Sequence, residues 1–249
     1  MLRRVRKYTD RAWNILIFRR FRVSGAAHPY NRGMANIVCL ISGRGSNLEA
    51  ILQAQQERQW ERRFGARVAA VISNQAQARG LEIARGRGVP SHVVSHREYS
   101  SRAQFDEALA AVIDRYEAAL VVLAGFLRVL TPAFVARYRG RMINIHPSLL
   151  PAFAGLDTHA RALQAGVRAH GTTVHFVSGE LDAGPIIAQA ALGVSPAEDA
   201  SALADRVLAM EHVLFPRCIE WFLEGKVRLE GERVVTHDLD RADLLLLAP

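Results

Sequence analysis

Short, mostly apolar runs recur along the chain after residue 34, and within each run apolar residues follow one another without regular alternation with polar ones. A strand with one solvated face alternates apolar and polar positions, whereas a strand buried on both faces is a continuous apolar run. The segments between these runs carry apolar residues at helical spacing, as Phe105, Leu109 and Val112 do. Alternating strands and helices predict an α/β fold, a doubly wound, mostly parallel sheet with helices on both faces. We place strands at 36–42, 67–73, 90–95, 119–125 and 141–146, and helices at 46–57, 76–87, 101–116 and 131–139.

The pattern changes after Pro151. Two strand-like segments, GTTVHFVS and PIIAQAAL, are joined by the short loop GELDAG. Because parallel neighbours need a long crossover, this short connection predicts an antiparallel addition to the sheet. The other predicted elements are a helix at 158–166, a long helix at 197–224 with a candidate break at Pro216, and a hairpin at 226–237.

Charge is distributed unevenly. Residues 1–33 carry nine basic residues and one acidic residue, which accounts for the whole formal net charge of +8. A basic chain is a candidate for binding nucleic acid or membranes, but a binding footprint should extend over a folded face, and the rest of the chain is neutral. We therefore expect one domain at 34–237, a basic leader at 1–33, a C-terminal tail at 238–249, and neither nucleic acid nor membrane as a partner.

The leader leaves three interpretations open. Its apolar run, WNILIF, has six residues, fewer than the roughly 7–15 of a signal peptide or the roughly 20 of a membrane helix. The leader is a start-site artefact ahead of Met34, an Arg-rich targeting or processing segment, or a basic interaction arm. Cys39 and Cys218 lie far apart in apolar surroundings, which is typical of reduced thiols, so we expect a cytoplasmic protein.

The first predicted strand leads through a glycine turn, SGRGSNLEA, into a helix. Gly43 and Gly45 permit the tight turn, and Ser46 with Glu49 has the pattern of an N-cap and capping box. The free N–H groups and the helix dipole at such a start favour an anion. The segment predicts an anion site, with a turn that merely starts a helix as the alternative.

The same segment does not match a dinucleotide site. That fingerprint needs a third glycine, where Leu48 stands, and an acidic residue after the second strand, where Ser73 and Asn74 stand. The loop therefore predicts a site for a single phosphate rather than for NAD.

The stretch NIHPSLLP, from Asn144 to Pro151, ends a predicted buried strand, where open α/β sheets bind their ligands. Asn144 and His146 are two positions apart, so their side chains point to the same side. An amide can donate to a developing oxyanion, and an imidazole can transfer protons near neutral pH. Pro147 and Pro151 would hold the following turn in place.

Asp182, in the GELDAG loop, is a candidate partner for His146 because a nearby carboxylate stabilises an imidazolium. A turn-forming aspartate is the alternative, since sequence spacing does not show whether it reaches His146. Ser148 does not lie in a nucleophile elbow. His170 and His175 share one strand, but no metal-ligand spacing is present. The residues thus predict an acid–base enzyme for a small phosphorylated substrate, without covalent catalysis and without a metal.

Several segments together resemble the phosphoribosylglycinamide formyltransferase family, the folate-dependent transformylases of de novo purine (IMP) biosynthesis. They are NIVCLISGRGSNLEAI, VVLAGFLRVLTPAFV, MINIHPSLLPAFAGLDTH, HGTTVHFVSGELDAGPII and EHVLFP. They follow the family's order and spacing from Met34 to the region of Gly225. The resemblance implies a Rossmann-like formyltransferase fold with antiparallel C-terminal strands. It implies formyl transfer from 10-formyltetrahydrofolate, a co-substrate, to glycinamide ribonucleotide, by a monomer or homodimer.

The resemblance also implies residue roles. Asn144 would hold the formyl oxygen and the oxyanion, His146 would manage proton transfers, and Asp182 would favour the imidazolium and order a water. The residues matched to substrate binding are Gly45, Ser46 and Asn47 for the phosphate, Glu211 for the ribonucleotide, and Arg102, Leu127, Arg128, Val129, Leu130 and Asn144 for the folate. Asp157 departs from the histidine of many relatives, whereas His159 is retained.

Three alternatives remain. A 10-formyltetrahydrofolate hydrolase resembles this core, but that family carries a regulatory domain before it, which a leader of this length is too short to form. Methionyl-tRNA formyltransferase shares HPSLLP, but needs a nucleic-acid-binding domain after the core. A nucleotide or nucleic-acid binder using the leader is the non-enzyme alternative. The phosphate loop favours the transferase with a phosphorylated acceptor.

Overall fold

The computed structural model describes residues 34–195 and 197–248. The expectations for the leader at 1–33 lie outside the described residues. Eight strands form one sheet. With the strands numbered along the chain, they lie side by side in the order third, second, first, fourth, fifth, sixth, seventh, tenth. They are β1 (Ala35–Ile41), β2 (Ala66–Ser73), β3 (Ser91–Val93), β4 (Leu120–Leu123), β5 (Met142–His146), β6 (Ala169–Phe176), β7 (Ile186–Gly193) and β10 (Leu245–Leu247).

The direction of the strands agrees with the predicted topology. Strands β1 to β5 are mutually parallel. Strand β6 runs antiparallel to both β5 and β7. The mostly parallel sheet with antiparallel C-terminal strands is therefore confirmed. The predicted hairpin is a separate two-stranded sheet, made of β8 (Val227–Glu230) and β9 (Arg233–Thr236).

Helices cover both faces of the sheet, as the continuous apolar runs predicted. They are α1 (Ser46–Glu57), α2 (Trp60–Phe64), α3 (Arg79–Gly86), α4 (Arg102–Asp114), α5 (Pro132–Arg137), α6 (Thr158–Gln164), α7 (Ala200–Leu223) and α8 (Arg241–Leu244). Along β1, Ile37 and Ile41 pack in one core with α1 and α7, while Val38 and Leu40 pack in a second core with α4 and α5. None of the helices in the described ranges has the length and apolar character needed to cross a membrane.

Helix α7 is continuous, so the candidate break at Pro216 does not occur. A proline inside a helix removes one backbone hydrogen bond and costs about 3 kcal/mol. Pro216 is buried with its neighbours Phe215 and Cys218 where α7 packs against the sheet, and this packing maintains the helix. Cys39 and Cys218 are both free and buried, as predicted.

Three of these elements were not predicted from the sequence: α2, α8 and β10. Helix α2 follows α1 after a two-residue turn, and its single buried residue is Trp60. In the tail, β10 pairs in parallel with β7, and the partly buried Leu246 packs against the core. The segment LLLLAP has no alternation from which an edge strand could have been recognised.

Trp60 lies in a buried polar contact between α2 and α7. Its Nε1–H donates to Glu220 Oε1 at 2.7 Å, and Arg58 donates to the other carboxylate oxygen at 3.1 Å. Trp60 is fully buried, and Glu220 is almost fully buried. The carboxylate therefore depends on these donors in place of water.

Replacing Trp60 with Phe keeps an aromatic ring and removes the donor. We expect Trp60→Phe to lower the free energy of unfolding by about 1–3 kcal/mol, measured by urea denaturation. The same substitution in a Glu220→Gln background is the control, and it should cost less because the group that loses the Trp60 donor is then a neutral amide rather than a carboxylate. Equal losses in the two backgrounds would contradict this account.

Candidate active site

The polar loops that follow β1, β2, β4 and β5 meet at one edge of the sheet. Strand β1 lies between β2 and β4, so successive crossovers leave it in opposite directions and open a crevice at its carboxyl end. The segment after β1 begins at Ser42, the segment after β2 at Asn74, and the segment after β5 at Pro147. This crevice is where the sequence predicted the ligand site.

The loop after β1 turns at Gly45, whose φ of 78° lies in the left-handed region. The predicted N-cap at Ser46 and its capping box with Glu49 are wrong, because Gly45 is the N-cap and no side chain caps α1. A Cβ on Gly45 would stand 2.6 Å from the Cα of Gly80, and the Gly80 N–H donates to the Gly43 carbonyl at 3.2 Å. The loop is thus pressed against α3, and a helix start whose first N–H groups lack intrahelical partners is suited to an anion, as predicted for this loop.

Asn47 and Glu211 form a buried hydrogen bond behind this helix start. The Asn47 Nδ2–H donates to Glu211 Oε2 at 2.7 Å. The Thr172 hydroxyl lies 3.4 Å from Glu211 Oε1 and donates to the His146 carbonyl at 2.9 Å. Burial raises the pKa of Glu211 to about 7, although the hydrogen bond from Asn47 and the contact with Thr172 oppose this shift. A continuous set of contacts therefore joins the start of α1 to the end of β5.

His146 and Asp182 are neighbours in the structure. Asp182 Oδ2 lies 3.4 Å from His146 Nδ1 and accepts the Gly155 N–H at 2.9 Å. His146 Nε2 lies 3.1 Å from the carbonyl oxygen of Phe153. Both ring nitrogens therefore face oxygen acceptors, and only the imidazolium can donate to both at once. Both side chains are nearly buried, at 8% and 10% exposure, which strengthens their electrostatic interaction.

The loop that carries Asp182 is held by a close approach to β6. A Cβ on Gly184 would lie 1.7 Å from the Phe176 carbonyl oxygen, so only glycine fits there. The Phe176 N–H donates to the Pro185 carbonyl at 2.9 Å. Asp182 itself has a φ of 50°, a left-handed conformation that is sparsely populated outside glycine and is often found at functional sites.

Asn144 is oriented by His175, its neighbour across the β5–β6 pair. His175 Nδ1 lies 2.9 Å from the Phe176 carbonyl, so it carries the proton, and Nε2 accepts from Asn144 Nδ2 at 3.2 Å. Burial lowers the pKa of His175, which favours this neutral form. The second hydrogen on Asn144 Nδ2 is then available for an oxyanion. The sequence search considered His175 only as a metal ligand and missed this role, which depends on strand register.

The turn after His146 is fixed by β6 and β7. Thr173 Oγ1 donates to the Ser148 carbonyl at 2.7 Å and accepts the Leu150 N–H at 3.0 Å. Gln189 donates to the Leu150 carbonyl at 2.9 Å, and the Leu150–Pro151 peptide is cis. The rigidity expected from the prolines is therefore reinforced by side chains of the antiparallel strands.

Apart from Asn144 on β5, the residues predicted to bind folate come from the segment after β4 and from the start of α4. Segment 127–130, here called the pterin segment, follows β4 and has neither helix nor strand structure. Leu127 and Val129 are exposed at 71% and 48%, Leu130 is buried, and Arg128 Nε is buried without a hydrogen-bond partner among the described residues. Arg102 is the exposed first residue of α4, and no contact joins it to His146 within the described chain.

A pair of histidines lies near His146. His159 Nδ1 lies 3.2 Å from His170 Nε2. Burial, with smaller contributions from His159 and His146, lowers the pKa of His170 to about 4, so this ring is neutral near pH 7. In the described residues no group of three or more His, Cys, Asp or Glu side chains has the arrangement of a metal site.

Known proteins give the site its chemical context. A family model described as "Formyl transferase" matches residues 35–219. The chain belongs to the formyl transferase family. Phosphoribosylglycinamide formyltransferase of Escherichia coli is 46% identical over 206 residues, which is 80% of this chain and 95% of that protein. The human trifunctional purine biosynthetic protein adenosine-3 is 40% identical over 80% of this chain, but only 19% of the human protein is covered.

Solved structures of formyl transferases agree with this assignment. Phosphoribosylglycinamide formyltransferase from Coxiella burnetii has a TM-score of 0.79 and 44% identity, and the match covers 87% of this chain and 100% of that chain. A formyltetrahydrofolate deformylase from Pseudomonas putida has a TM-score of 0.72 and 29% identity, over 82% of this chain and 70% of that chain. The Rossmann-like formyltransferase fold and the predicted class of enzyme, a transferase, are confirmed.

The buried carboxyl group of Glu211 predicts a pH-dependent stability in this formyl transferase. Its pKa is about 7 in the folded chain, against an ordinary value of 4.5. Between these values the unfolded state loses a proton that the folded state keeps, so the free energy of unfolding falls as pH rises. A glutamine side chain cannot titrate, so we expect the free energy of unfolding of Glu211→Gln, relative to that of the wild type, to rise by on the order of 3 kcal/mol from pH 4 to pH 8.

Urea denaturation across that pH range measures this difference. Glu57→Gln, at an exposed position of α1, is the control and should follow the wild type throughout. Parallel pH profiles for Glu211→Gln and the wild type would show that the Glu211 pKa is unshifted.

Proposed function

We propose that this chain transfers the formyl group of 10-formyltetrahydrofolate to the amine of glycinamide ribonucleotide, in de novo purine (IMP) biosynthesis. The 46% identity to the Escherichia coli enzyme supports the reaction. The observation that carries the acceptor assignment is the contact path from Asn47 through Glu211 and Thr172 to the His146 carbonyl. It links an anion-binding helix start, suited to a ribonucleotide phosphate, to the proposed acid–base residues.

In the proposed reaction the acceptor amine attacks the formyl carbon. A carbon–nitrogen bond to the amine forms, the carbonyl oxygen becomes an oxyanion, and the bond from carbon to N10 of the folate then breaks. Asn144 donates its free Nδ2 hydrogen to the oxyanion, which is the charge that develops in the transition state. The proton lost by the amine is finally carried by N10, so tetrahydrofolate and the formylated ribonucleotide are released.

His146 is the group that we assign to this proton movement. As an imidazolium beside Asp182 it can protonate N10, and the neutral imidazole that remains can then accept the proton lost by the amine, directly or through an ordered water. Its Nε2 lies 3.1 Å from the Phe153 carbonyl, so the substrate or a water must take the place of that carbonyl during transfer. Asp182 holds the ring through Nδ1 and stabilises its positive charge.

The substrate-binding roles follow the predicted residues. Gly45, Ser46 and Asn47 would receive the phosphate at the start of α1, and Glu211 would contact the ribonucleotide. The pterin segment, from Leu127 through Arg128 and Val129 to Leu130, would receive the folate through its backbone, together with Asn144. Arg102 would bind the outer part of the folate.

We extend the proposal to the setting of the enzyme. Its partners would be the two small molecules, glycinamide ribonucleotide and 10-formyltetrahydrofolate, and it would act in the cytoplasm as a monomer or homodimer without a metal. Nucleic acid and membrane have no proposed part in the reaction.

Hydrolysis of 10-formyltetrahydrofolate is the second candidate function. The likeness to the Pseudomonas putida deformylase, at 29% identity, favours it. The higher identity and fuller coverage of the phosphoribosylglycinamide formyltransferases favour transfer to the ribonucleotide.

Deformylation of 10-formyltetrahydrofolate by the full chain, with and without glycinamide ribonucleotide, separates the candidates. We expect deformylation only when the ribonucleotide is present. Equal rates without it would identify a hydrolase, and no reaction in either case would reject both functions.

In the same assay we expect His146→Ala and Asp182→Asn each to lower kcat by roughly 10²–10⁴-fold, because a positioned acid–base group contributes about that factor. Substrate KM values should change much less. His92→Ala is the matched control, since that histidine contacts Tyr116 at 2.6 Å, away from the proposed site. Turnover like that of the wild type in either catalytic variant would rule out its assigned role.

The phosphate assignment is tested by a charge at the start of α1. Ser46→Asp would place a negative charge against the phosphate, so we expect the KM for glycinamide ribonucleotide to rise by at least about tenfold, which corresponds to about 1.4 kcal/mol. The KM for 10-formyltetrahydrofolate should stay unchanged. Ser46→Asn, a neutral residue of similar size, is the control. A comparable rise with Ser46→Asn would trace the effect to size rather than to charge.

A further inference from the structure

The pterin segment has no hydrogen-bonded secondary structure of its own, yet its backbone is anchored at both ends. The Leu127 N–H donates to Ser42 Oγ at 2.8 Å. Just beyond the other end, the Thr131 N–H donates to Asp106 Oδ2 at 2.6 Å. Both acceptors are side chains from other parts of the fold, one after β1 and one on α4. A four-residue stretch is thus held between two side-chain acceptors.

The direction of the Ser42 contact is fixed by Asn74. A hydroxyl has one hydrogen to donate, and Ser42 donates it to Asn74 Oδ1 at 2.6 Å. The oxygen of Ser42 therefore accepts from Leu127. Asn74 is 3% exposed. Its side-chain Nδ2 and its main-chain carbonyl oxygen each lie 3.2 Å from His96 Nδ1. This arrangement leaves the Ser42 hydroxyl little freedom to turn away.

The second anchor is a carboxylate with unusual surroundings. Asp106 is 3% exposed, and its other oxygen, Oδ1, has no hydrogen-bond partner in the described part of the chain. Its contact with Thr131 lies at the start of α5, where the Thr131 hydroxyl caps the helix by accepting the Phe134 N–H at 3.3 Å. Asp106 therefore fixes the point at which the pterin segment ends and α5 begins.

We propose that Ser42, oriented by Asn74, and Asp106 are positioning residues for the folate, which hold the backbone of segment 127–130 in its binding conformation. The inference rests on the proposed function. A ligand that is recognised by backbone N–H and C=O groups binds more tightly when those groups are ordered beforehand, because less conformational entropy is lost on binding. None of the three side chains needs to touch the folate.

The same geometry separates this effect from the phosphate site. The Ser42 main-chain N–H donates to the Gly125 carbonyl at 3.0 Å, and Ser42→Ala keeps that bond. The glycine turn at Gly43 and Gly45 then retains its main-chain attachment to the sheet. Loss of the hydroxyl should release Leu127 while leaving the start of α1 in place.

The test uses the full chain and two folate measurements: KM for 10-formyltetrahydrofolate and Kd for the product tetrahydrofolate. We expect Ser42→Ala to raise both by about three- to tenfold, the usual effect of losing one hydrogen bond. The kcat and the KM for glycinamide ribonucleotide should stay within about twofold of the wild type. Ser42→Thr, which keeps the hydroxyl, should restore both folate values.

Two further comparisons address Asn74 and Asp106. Asn74→Leu should add little to Ser42→Ala, because the two side chains act through one chain of hydrogen bonds and their effects are then not additive. Asp106→Leu should weaken folate binding in the same way as Ser42→Ala. Asp106→Asn should keep part of the folate affinity, because its amide oxygen can still accept the Thr131 N–H. Full additivity of Ser42→Ala and Asn74→Leu would overturn the part assigned to Asn74.

The control for a general loss of stability is Asp199→Ala. It removes the side chain that caps α7 by accepting the Ala202 N–H at 2.8 Å, and it leaves the pterin segment untouched. An equal rise in folate KM with this variant, or unchanged folate KM and Kd with Ser42→Ala, would overturn the proposal. A wild-type chain that binds tetrahydrofolate but transfers no formyl group would reject the proposed function alone, because the tetrahydrofolate Kd of Ser42→Ala still tests this inference. A wild-type chain that binds no folate would reject both.

Discussion

The antiparallel pairing of β6 with β5 is the constraint on which the site depends. Its register sets Asn144 opposite His175 and His146 opposite Thr173. Because successive side chains of a strand point to opposite faces, a slip of one residue would remove His175 from Asn144 and Thr173 from the turn after His146. The change from parallel to antiparallel pairing therefore gives the Asn144 amide its hydrogen-bond partner and fixes the turn after His146.

The same strand connects the two halves of the site. Thr172, next to Thr173 on β6, contacts both the His146 carbonyl and Glu211. Glu211 in turn accepts from Asn47 in the first turn of α1. Burying a carboxyl group is unfavourable unless it is neutral or well hydrogen-bonded, and Glu211 responds both by its raised pKa and by its two partners. In the proposed function this unfavourable burial has a role, since the Glu211 contacts set the distance from the proposed anion site at the start of α1 to His146.

Patterns that depend on burial were predictable from the sequence, and contacts that depend on register or on loop paths were not. The run NIVCLIS identified β1 because both of its faces pack against helices. The capping box at Ser46 was wrong because the close contact of Gly45 with Gly80, a nonlocal contact, decides the conformation of the turn. The distance from Asp182 to His146 depends on how the loop after β6 returns, which Gly184 controls by its fit against Phe176. His175 had no signal until its cross-strand partner was known.

Acid–base residues of this kind do not by themselves distinguish an amine acceptor from water. An oxyanion donor and an imidazolium beside a carboxylate stabilise the same tetrahedral intermediate in transfer and in hydrolysis. Selectivity must therefore come from what holds the acceptor and excludes water, because binding energy from remote parts of a substrate orients its reacting group. In the proposed function the anchor for such a remote group is the start of α1 with Asn47 and Glu211. A ribonucleotide anchored there would bring its amine to the formyl carbon as part of binding, whereas a water molecule would gain nothing from that anchor.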